Sequence, residues 1–443
     1  MKRDIERQLK DWKDQPNRLP LLIRGPRQVG KTYVVEQFGK EFFENVVLVN
    51  FELYPRMKQC FESLDPKEII NKLRLMDDLD IEPGKTLLFL DEIQECPKAI
   101  MSLRYFKEKM PELHVIGAGS LLEFALREED FRMPVGRVQF VYLGPFSFGE
   151  FLGALNHNQL RGYLGKIKLM DQIDPVVHEQ LLELLQKYFI LGGMPAVLQE
   201  YLTAGNLKVC QNIQSGILET YRSDFGKYAK KVQHKYLQRL FESAPRLVGQ
   251  GFKYVNVDPQ VKSRELKQAF DLLVLAGLIH PVYATSASGL PLGFQIREQK
   301  FKIIFLDVGL AQNACGLRAE PNFNKGLLQI NAGSVAEQFV GQELWAYGDA
   351  YTRQNLYFWA RDKKGSMAEV DFVINVGPRI LPLEVKAGKT GTLKSLQLFL
   401  KEKKAPLGIR VSENPLSYYD HVLSVPLYMV EQIPRIVEAV EKA

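Results

Sequence analysis

Short apolar runs at 19–24, 46–51, 86–91, 114–117 and 138–143 alternate with stretches whose apolar residues recur at helical spacing. Uniformly apolar strands separated by helices predict a parallel sheet covered on both faces, the α/β class. From 148 to 222 the pattern turns helical and is interrupted at Leu191-Gly192-Gly193-Met194-Pro195, which predicts a helical lid or bridging region with one sharp break. Helical patterning continues beyond Asp224, and a helix over 263–276 places Leu266, Phe270, Leu273 and Val274 on one face. Strands at 279–284 and 293–296 around the turn Ser286-Ala287-Ser288-Gly289 predict a hairpin. Helix followed by hairpin predicts a winged-helix-like domain. A helix over 334–347 and strands at 356–360, 370–376 and 380–386 then predict a separate α/β unit. The expected divisions fall at 1–147, 148–222, 223–325 and 326–443.

The sharpest chemical signal lies directly after the first strand. Gly25-Pro26-Arg27-Gln28-Val29-Gly30-Lys31-Thr32 fits the spacing GxxxxGK[ST] between a strand and a helix. Backbone N–H groups of such a loop cradle phosphates, Lys31 reaches the β and γ phosphates of ATP, and Thr32 ligates Mg²⁺. The strand Leu87-Leu88-Phe89-Leu90 ends in Asp91 and Glu92. Asp91 is placed to hold the Mg²⁺ shell and Glu92 to polarise the attacking water, which implies hydrolysis as well as binding. The run 114–117 leads into Gly119 and Ser120, so Ser120 is expected to sense the γ phosphate.

Composition narrows the picture little. The 443 residues are 46% apolar and 25% charged, enough for several folded domains. The longest apolar stretches, 189–198 and 272–284, fall short of the roughly 18 residues a membrane span needs. Residues 1–10 lack a secretory core, so the expected location is the cytoplasm. Four scattered cysteines read as reduced thiols, and six histidines show no metal-ligand spacing. A net charge of +6 neither demands nor excludes a polyanionic partner. Local basic clusters at Lys227, Lys230, Lys231, Lys235 and Arg239, at Arg361, Lys363 and Lys364, and at Lys401, Lys403 and Lys404 fit either nucleic-acid contact or a solvated face.

Together these motifs resemble the AAA+ ATPases, and within them a bacterial and archaeal group joining an N-terminal AAA domain to a C-terminal domain of unknown function. The resemblance extends through Val135-Gly136-Arg137, Leu143-Gly144-Pro145-Phe146-Ser147-Phe148, Glu150-Phe151, Gly192-Gly193-Met194-Pro195 and Asp307-Val308-Gly309-Leu310. It implies an AAA+ core over 1–147 and a helical lid over 148–222. By the same resemblance Arg137, or alternatively Arg132, is the arginine that stabilises the transferring phosphoryl, in cis or from a neighbouring subunit. Relatives assemble as rings, so a homo-oligomer of unassigned stoichiometry is an expected state.

A second constellation comes from period-2 arithmetic. Val370, Phe372, Ile374 and Val376 share one strand face, leaving Asp371 on the other with Glu369, while Glu384 and Lys386 share a face of the next strand. Glu337 lies on the apolar stripe of its helix, and a carboxylate aimed at a core needs a partner. Glu337, Asp371 and Glu384 around a second divalent metal, with Lys386 acting on a water, is the arrangement of a metal-dependent nuclease. The order helix Glu, Asp, Glu-x-Lys resembles the PD-(D/E)xK restriction-endonuclease-like fold. The alternative is a salt-bridged cluster on a fold that has lost the chemistry. Three readings follow: an ATPase coupled to a nuclease-like domain and acting on or near DNA, with double-stranded DNA as a possible partner; a nucleotide-controlled switch binding a protein partner, its nuclease-like domain catalytically silent; and an ATP-gated, metal-dependent DNA nuclease. Lys262, Arg264 and Lys267 flank the helix that a winged-helix-like domain would present to DNA.

Overall fold

Leu21, Leu22 and Ile23 are all fully buried, which consecutive strand residues achieve only with a packed layer on each face. The structure, a computed structural model, describes residues 1–77, 79–125, 136–228, 231–317, 332–363, 365–388 and 390–440. Its first third runs α1 (Ile5–Asp14), β1 (Leu21–Arg24), α2 (Lys31–Phe42), β2 (Asn45–Asn50), α3 (Pro66–Asp77), β3 (Thr86–Asp91), α4 (Pro97–Lys109), β4 (His114–Ala118), α5 (Leu122–Ala125) and β5 (Gln139–Tyr142). The five strands form one parallel sheet in the order β2-β3-β4-β1-β5. Alternate residues divide between the two layers. Leu21, Ile23, Leu87 and Phe89 pack with Trp12, Val34 and Phe38, whereas Leu22, Leu88 and Leu90 pack with Ile69, Ile100 and Phe106. Each such side chain contributes about 1.5–3 kcal/mol of burial. In a parallel sheet all strand C-termini share one edge, so the loops after β1, β3 and β4 converge there.

The helical region comprises α6 (Phe148–Ala154), α7 (Asn158–Leu164), α8 (Pro175–Leu191), α9 (Pro195–Ala204), α10 (Leu207–Tyr228) and α11 (Lys231–Ser243). The expected break is present: Gly192 has φ 68° and separates α8 from α9, which meet at 119°. Among the described residues no single helix is long and apolar enough to cross a membrane. Residue 222 lies inside α10, which runs unbroken from the lid segment into the next.

Next come α12 (Ser263–Leu275), β6 (Ile279–Thr285), β7 (Ile296–Phe305) and α13 (Val308–Ala314). The helix-then-hairpin order is observed, but the second strand is not 293–296: residues 292–295 form a 3-10 turn and β7 continues to Phe305. Its first half, Arg297-Glu298-Gln299-Lys300, is exposed and carries no apolar alternation, so only the buried half, 301–305, has a hydrophobic signature.

The chain ends with α14 (Ala332–Ala346), β8 (Leu356–Ala360), β9 (Glu369–Val370), β10 (Phe372–Val376), β11 (Arg379–Val385), α15 (Lys394–Lys403), β12 (Gly408–Ser412), β13 (Ser417–Tyr419), β14 (Val422–Pro426) and α16 (Ile433–Val440). The single strand expected at 370–376 is divided at Asp371. Its first part closes the sheet β7-β6-β8-β9, and its second opens the sheet β10-β11-β12-β14-β13. At the division the Asp371 carboxylate accepts from the Val385 N–H at 2.8 Å, replacing a ladder bond with a side-chain one. Because β6 pairs with β8 in parallel, the hairpin shares its sheet with strands of the last third.

The resemblance segments at 143–148, 192–195 and 307–310 meet around α14. Gly193 N donates to Asp307 Oδ2 at 2.6 Å, and the Phe146 N–H donates to the Gly193 carbonyl at 2.7 Å. A Cβ on Gly309 would sit 2.6 Å from the Gly192 nitrogen, so only glycine permits this approach. Buried Gln342 of α14 accepts from Val308 N at 2.9 Å and donates to the Tyr188 hydroxyl at 2.8 Å, while Glu343 accepts from Phe148 N at 3.0 Å. Each of these buried polar groups is matched by a partner from another part of the chain. Burial in this low-dielectric junction pushes Glu343 up to about 8.

Candidate functional site

Strand β1 delivers the chain at the C-terminal edge of the sheet, where three positive φ values bend it into a loop: Gly25 at 147°, Gln28 at 63° and Gly30 at 90°. A Cβ on Gly25 would collide with the Leu143 carbonyl, so the turn requires glycine. Gly30 precedes α2 and presents that helix's N-terminus to the loop. Lys31 folds back over the loop, its Nζ donating to the carbonyls of Gly25 at 2.9 Å and Pro26 at 2.7 Å. Burial pulls this ammonium down to about 8, against the opposing charges of Glu92 and Asp91.

Strand β3 brings its two carboxylates beside this loop. Thr32 Oγ1 donates to Asp91 Oδ2 at 3.1 Å, and Asn50 Nδ2, from the end of β2, donates to the same oxygen at 3.1 Å. Burial, followed by the neighbouring Glu92 charge, raises Asp91 above the usual carboxylate range. The hydroxyl and carboxylate are hard oxygen donors at one point, the donor set Mg²⁺ takes alongside nucleotide phosphates. Glu92 sits in the left-handed region, φ 46° and ψ 45°, a conformation of order 1–3 kcal/mol above an ordinary one for a residue with a Cβ. Its Oε2 accepts from Gln94 Nε2 at 2.6 Å and Ser120 Oγ at 3.1 Å. Thus Lys31, Thr32, Asp91, Glu92 and Ser120, named from separate motifs, converge on one edge of the sheet.

Arg27 adds a connection that the loop motif does not specify. Its Nε donates to Ser120 Oγ at 3.0 Å, and its Nη1 to both oxygens of Asp224, on α10, at 2.5 and 2.6 Å. The Tyr221 hydroxyl, one turn earlier on α10, donates to the Arg27 carbonyl at 2.8 Å. On the other side Arg3 donates to the Val29 carbonyl at 3.1 Å and pairs with Glu150 of α6 at 2.9 Å. Asn50, Gln94, Asp224 and Arg3 had no motif to mark them; Asn50 alone carried a cue, a polar residue ending an apolar strand.

Arg137 is not brought to this site by its own chain. It precedes β5, whose Gln139 N–H bonds Pro20 before β1 begins, and its Nε pairs with Glu108 at 3.1 Å. That is the edge opposite the loop, a strand length of roughly 13 Å away at about 3.3 Å per residue. Arg132 lies outside the described residues.

Of the C-terminal candidates, Glu337 and Asp371 come together around a residue sequence reasoning missed, and Glu384 and Lys386 pair with each other. Lys302, on β7 and 2% exposed, places its Nζ 2.9 Å from Glu337, 2.6 Å from Glu369 and 3.6 Å from Asp371. Burial opposes this charge, but Glu337, Asp371 and Glu369 outweigh it and raise the ammonium above its ordinary value. Lys386 pairs with Glu384 at 2.7 Å, while the other Glu384 oxygen is buried without a hydrogen-bond partner. Burial raises Glu337 and Glu384 well above the usual carboxylate range. No group of histidine, cysteine or acidic side chains suited to hold a metal ion is present among the described residues.

Of the basic clusters, the side chains of Lys227, Lys230, Lys231 and Lys364 lie outside the described residues. Arg239 pairs with Asp258 and Arg361 with Glu402. Cys60, Cys96, Cys210 and Cys315 form no disulfide among the described residues.

Comparison with known proteins agrees with the site geometry. Residues 17–152 match the family model of an AAA domain, 182–321 a domain of unknown function (DUF8612), and 332–428 another domain of unknown function (DUF4143). The chain therefore carries an N-terminal AAA-type P-loop ATPase domain followed by two further domains. No curated protein matches it. Among solved structures it is similar to a Walker-type ATPase, PABY2304, of Pyrococcus abyssi, at 16% identity over 71% of this chain and 95% of that one, TM-score 0.45. It is also similar to the Aeropyrum pernix ORC1 protein solved in complex with DNA, at 13% identity over 71% and 92%, TM-score 0.31. A third is AMPPCP-bound DnaA from Aquifex aeolicus, at 12% identity over 61% and 86%, TM-score 0.25.

Proposed function

We propose that this protein hydrolyses Mg-ATP at the β1–α2 loop, passes the nucleotide state through α10 and α6 to its C-terminal domain, and acts on double-stranded DNA. The observation that carries the ATPase reading is the convergence of Lys31, Thr32, Asp91 and Glu92 at the ends of β1 and β3. In this reading the loop N–H groups and Lys31 bind the β and γ phosphates, and Thr32 and Asp91 hold the Mg²⁺ shell. Glu92 polarises the attacking water and Ser120 contacts the γ phosphate. Coupling is supported by direct bonds from α10 and from Arg3 to the loop, and by the bonds α14 makes with the N-terminus of α6. DNA as the substrate is supported by Lys262, Arg264 and Lys267, exposed along the first turns of α12.

A second reading concerns the C-terminal cluster. Lys302 sits among the carboxylates a nuclease would use for a divalent cation, which favours a nuclease-like domain without cutting activity. Such a domain serves as a relay or as a surface for a protein partner. ATP turnover with Mg²⁺ or Mn²⁺, with and without double-stranded DNA, followed by gel analysis of that DNA, tests both readings. Mg²⁺-dependent turnover that DNA stimulates, that is abolished in Glu92→Gln, and that leaves the DNA intact is expected. A parent without turnover overturns the ATPase reading; cleavage lost in Asp371→Ala overturns the silent-domain reading.

A further inference from the structure

A phosphate loop whose third residue is arginine carries a second permanent cation beside its lysine, with a planar fork suited to phosphoryl oxygens. Here that guanidinium is one hydroxyl removed from the water-polarising acid: Arg27 Nε to Ser120 Oγ is 3.0 Å, and Ser120 Oγ to Glu92 is 3.1 Å. It therefore lies at the γ-phosphate end of the loop. Its counter-ion comes from elsewhere in the chain, the buried Asp224 of α10 at 2.5 Å. Arg137, one of the two arginines that the family resemblance marks for the reaction, lies at the opposite edge of the sheet beside Glu108.

We infer that Arg27 is the cation that stabilises the transferring γ-phosphoryl within its own chain, and that Asp224 is the anion it leaves in order to do so. The inference rests on the ATPase reading above. In the reaction a water oxygen bonds to the γ phosphorus, and the bond from that phosphorus to the bridging oxygen breaks with its electron pair remaining on ADP. The proton of the water passes to Glu92. Negative charge accumulates on the phosphoryl and bridging oxygens, where a guanidinium stabilises it most. Arg27 exchanges one anion, Asp224, for another, so the nucleotide's differential affinity for the two arrangements supplies the drive. Asp224 gives up the Arg27 guanidinium in that exchange while Tyr221 still bonds the Arg27 carbonyl. α10 is then free to pivot about Tyr221, and its packing against α9 and α13 carries the movement outward.

The test combines ATP turnover with ADP affinity for the full-length parent, Arg27→Ala, Arg27→Lys and Asp224→Asn, each checked for an unchanged circular-dichroism melt. Arg27→Ala is expected to lower kcat by about a thousandfold while changing the ADP Kd by less than about threefold. Arg27→Lys, which keeps the charge without the fork, falls between. Asp224→Asn is expected to tighten a non-hydrolysable ATP analogue by roughly threefold to tenfold, since the nucleotide no longer competes with a carboxylate. Arg27→Ala turning over within threefold of the parent overturns the catalytic role, and unchanged analogue affinity in Asp224→Asn overturns the exchange. If Arg27→Ala does not keep its melt, the kcat of a folded Arg27→Lys decides alone, parental turnover overturning the role. A parent that hydrolyses no ATP fails the ATPase reading itself, a different result from either.

Discussion

The two ends of the chain each set a buried lysine beside strand-end carboxylates, and they use it in opposite ways. At the N-terminal site Lys31 bonds main-chain carbonyls, and Asp91 and Glu92 are held by neutral groups: Thr32, Asn50, Gln94 and Ser120. Apart from Arg27, which pairs with Asp224, its charges are oriented but not paired. At the C-terminal cluster Lys302 is in ion-pair contact with three carboxylates at once. There the acids already share a counter-ion. A nucleotide entering the first site meets groups arranged in advance and, Arg27 excepted, without counter-ions, whereas a cation entering the second must displace a lysine that burial and three acids hold in place.

The strongest way to break this contrast is to remove the internal cation. Lys302→Met leaves Glu337, Glu369 and Asp371 facing one another in a partly buried pocket, and losing one partner of a buried ionic cluster costs about 3–5 kcal/mol. Denaturant unfolding is expected to show that loss at pH 7 and partial recovery near pH 5, where protonation relieves the repulsion between the acids. Mn²⁺ is expected to raise the melting temperature of Lys302→Met and not that of the parent. Equal Mn²⁺ stabilisation of both proteins would show that the parent's cluster is open to metal, and the contrast would fail.

How much of this was legible in the sequence follows the same division. The strand 86–91 was read to the residue because its apolar run stops at two acids, and the phosphate loop because its spacing is rigid. The break at Asp371 was invisible because period-2 alternation continues straight across it, although the two halves belong to different sheets. Lys302 was missed for a related reason. A lysine between Phe301 and Ile303 reads as the outward residue of a half-buried strand, and only the arrival of α14 and β9 encloses that face. Arg137 shows the limit of motif reasoning: the residues were recognisable, but the edge of the sheet they occupy depends on strand order.

A smaller effect sharpens the first half of the contrast. Burial chiefly holds Lys31 down to about 8, and bound phosphates would raise it. Binding then requires a charged lysine that is fully available below that value and progressively lost above it. Nucleotide affinity is expected to be flat between about pH 6.5 and 7.5 and to weaken as pH rises through 8, approaching tenfold per pH unit. Calorimetric titrations with ADP in buffers of different ionisation enthalpy should detect proton uptake near pH 8.5. A flat affinity up to pH 9.5 would mean that Lys31 is charged throughout and that loop burial does not govern it.

The least effect is expected at Arg137, which tests whether the site is complete within one chain. Its pair with Glu108 is solvent-exposed on both sides, so salt screens it and Arg137→Ala is expected to leave the melting temperature unchanged. Its distance from the loop means that any catalytic part it plays must come through a neighbouring copy, and such a part depends on protein concentration. Turnover per molecule, measured for parent and Arg137→Ala across a hundredfold range of concentration, separates the cases. Coincident curves are expected if Arg27 supplies the cation in cis. A parent whose turnover rises with concentration while Arg137→Ala stays flat would place the stabilising arginine in trans, and Arg27 would then be left with the anchoring of α10 alone.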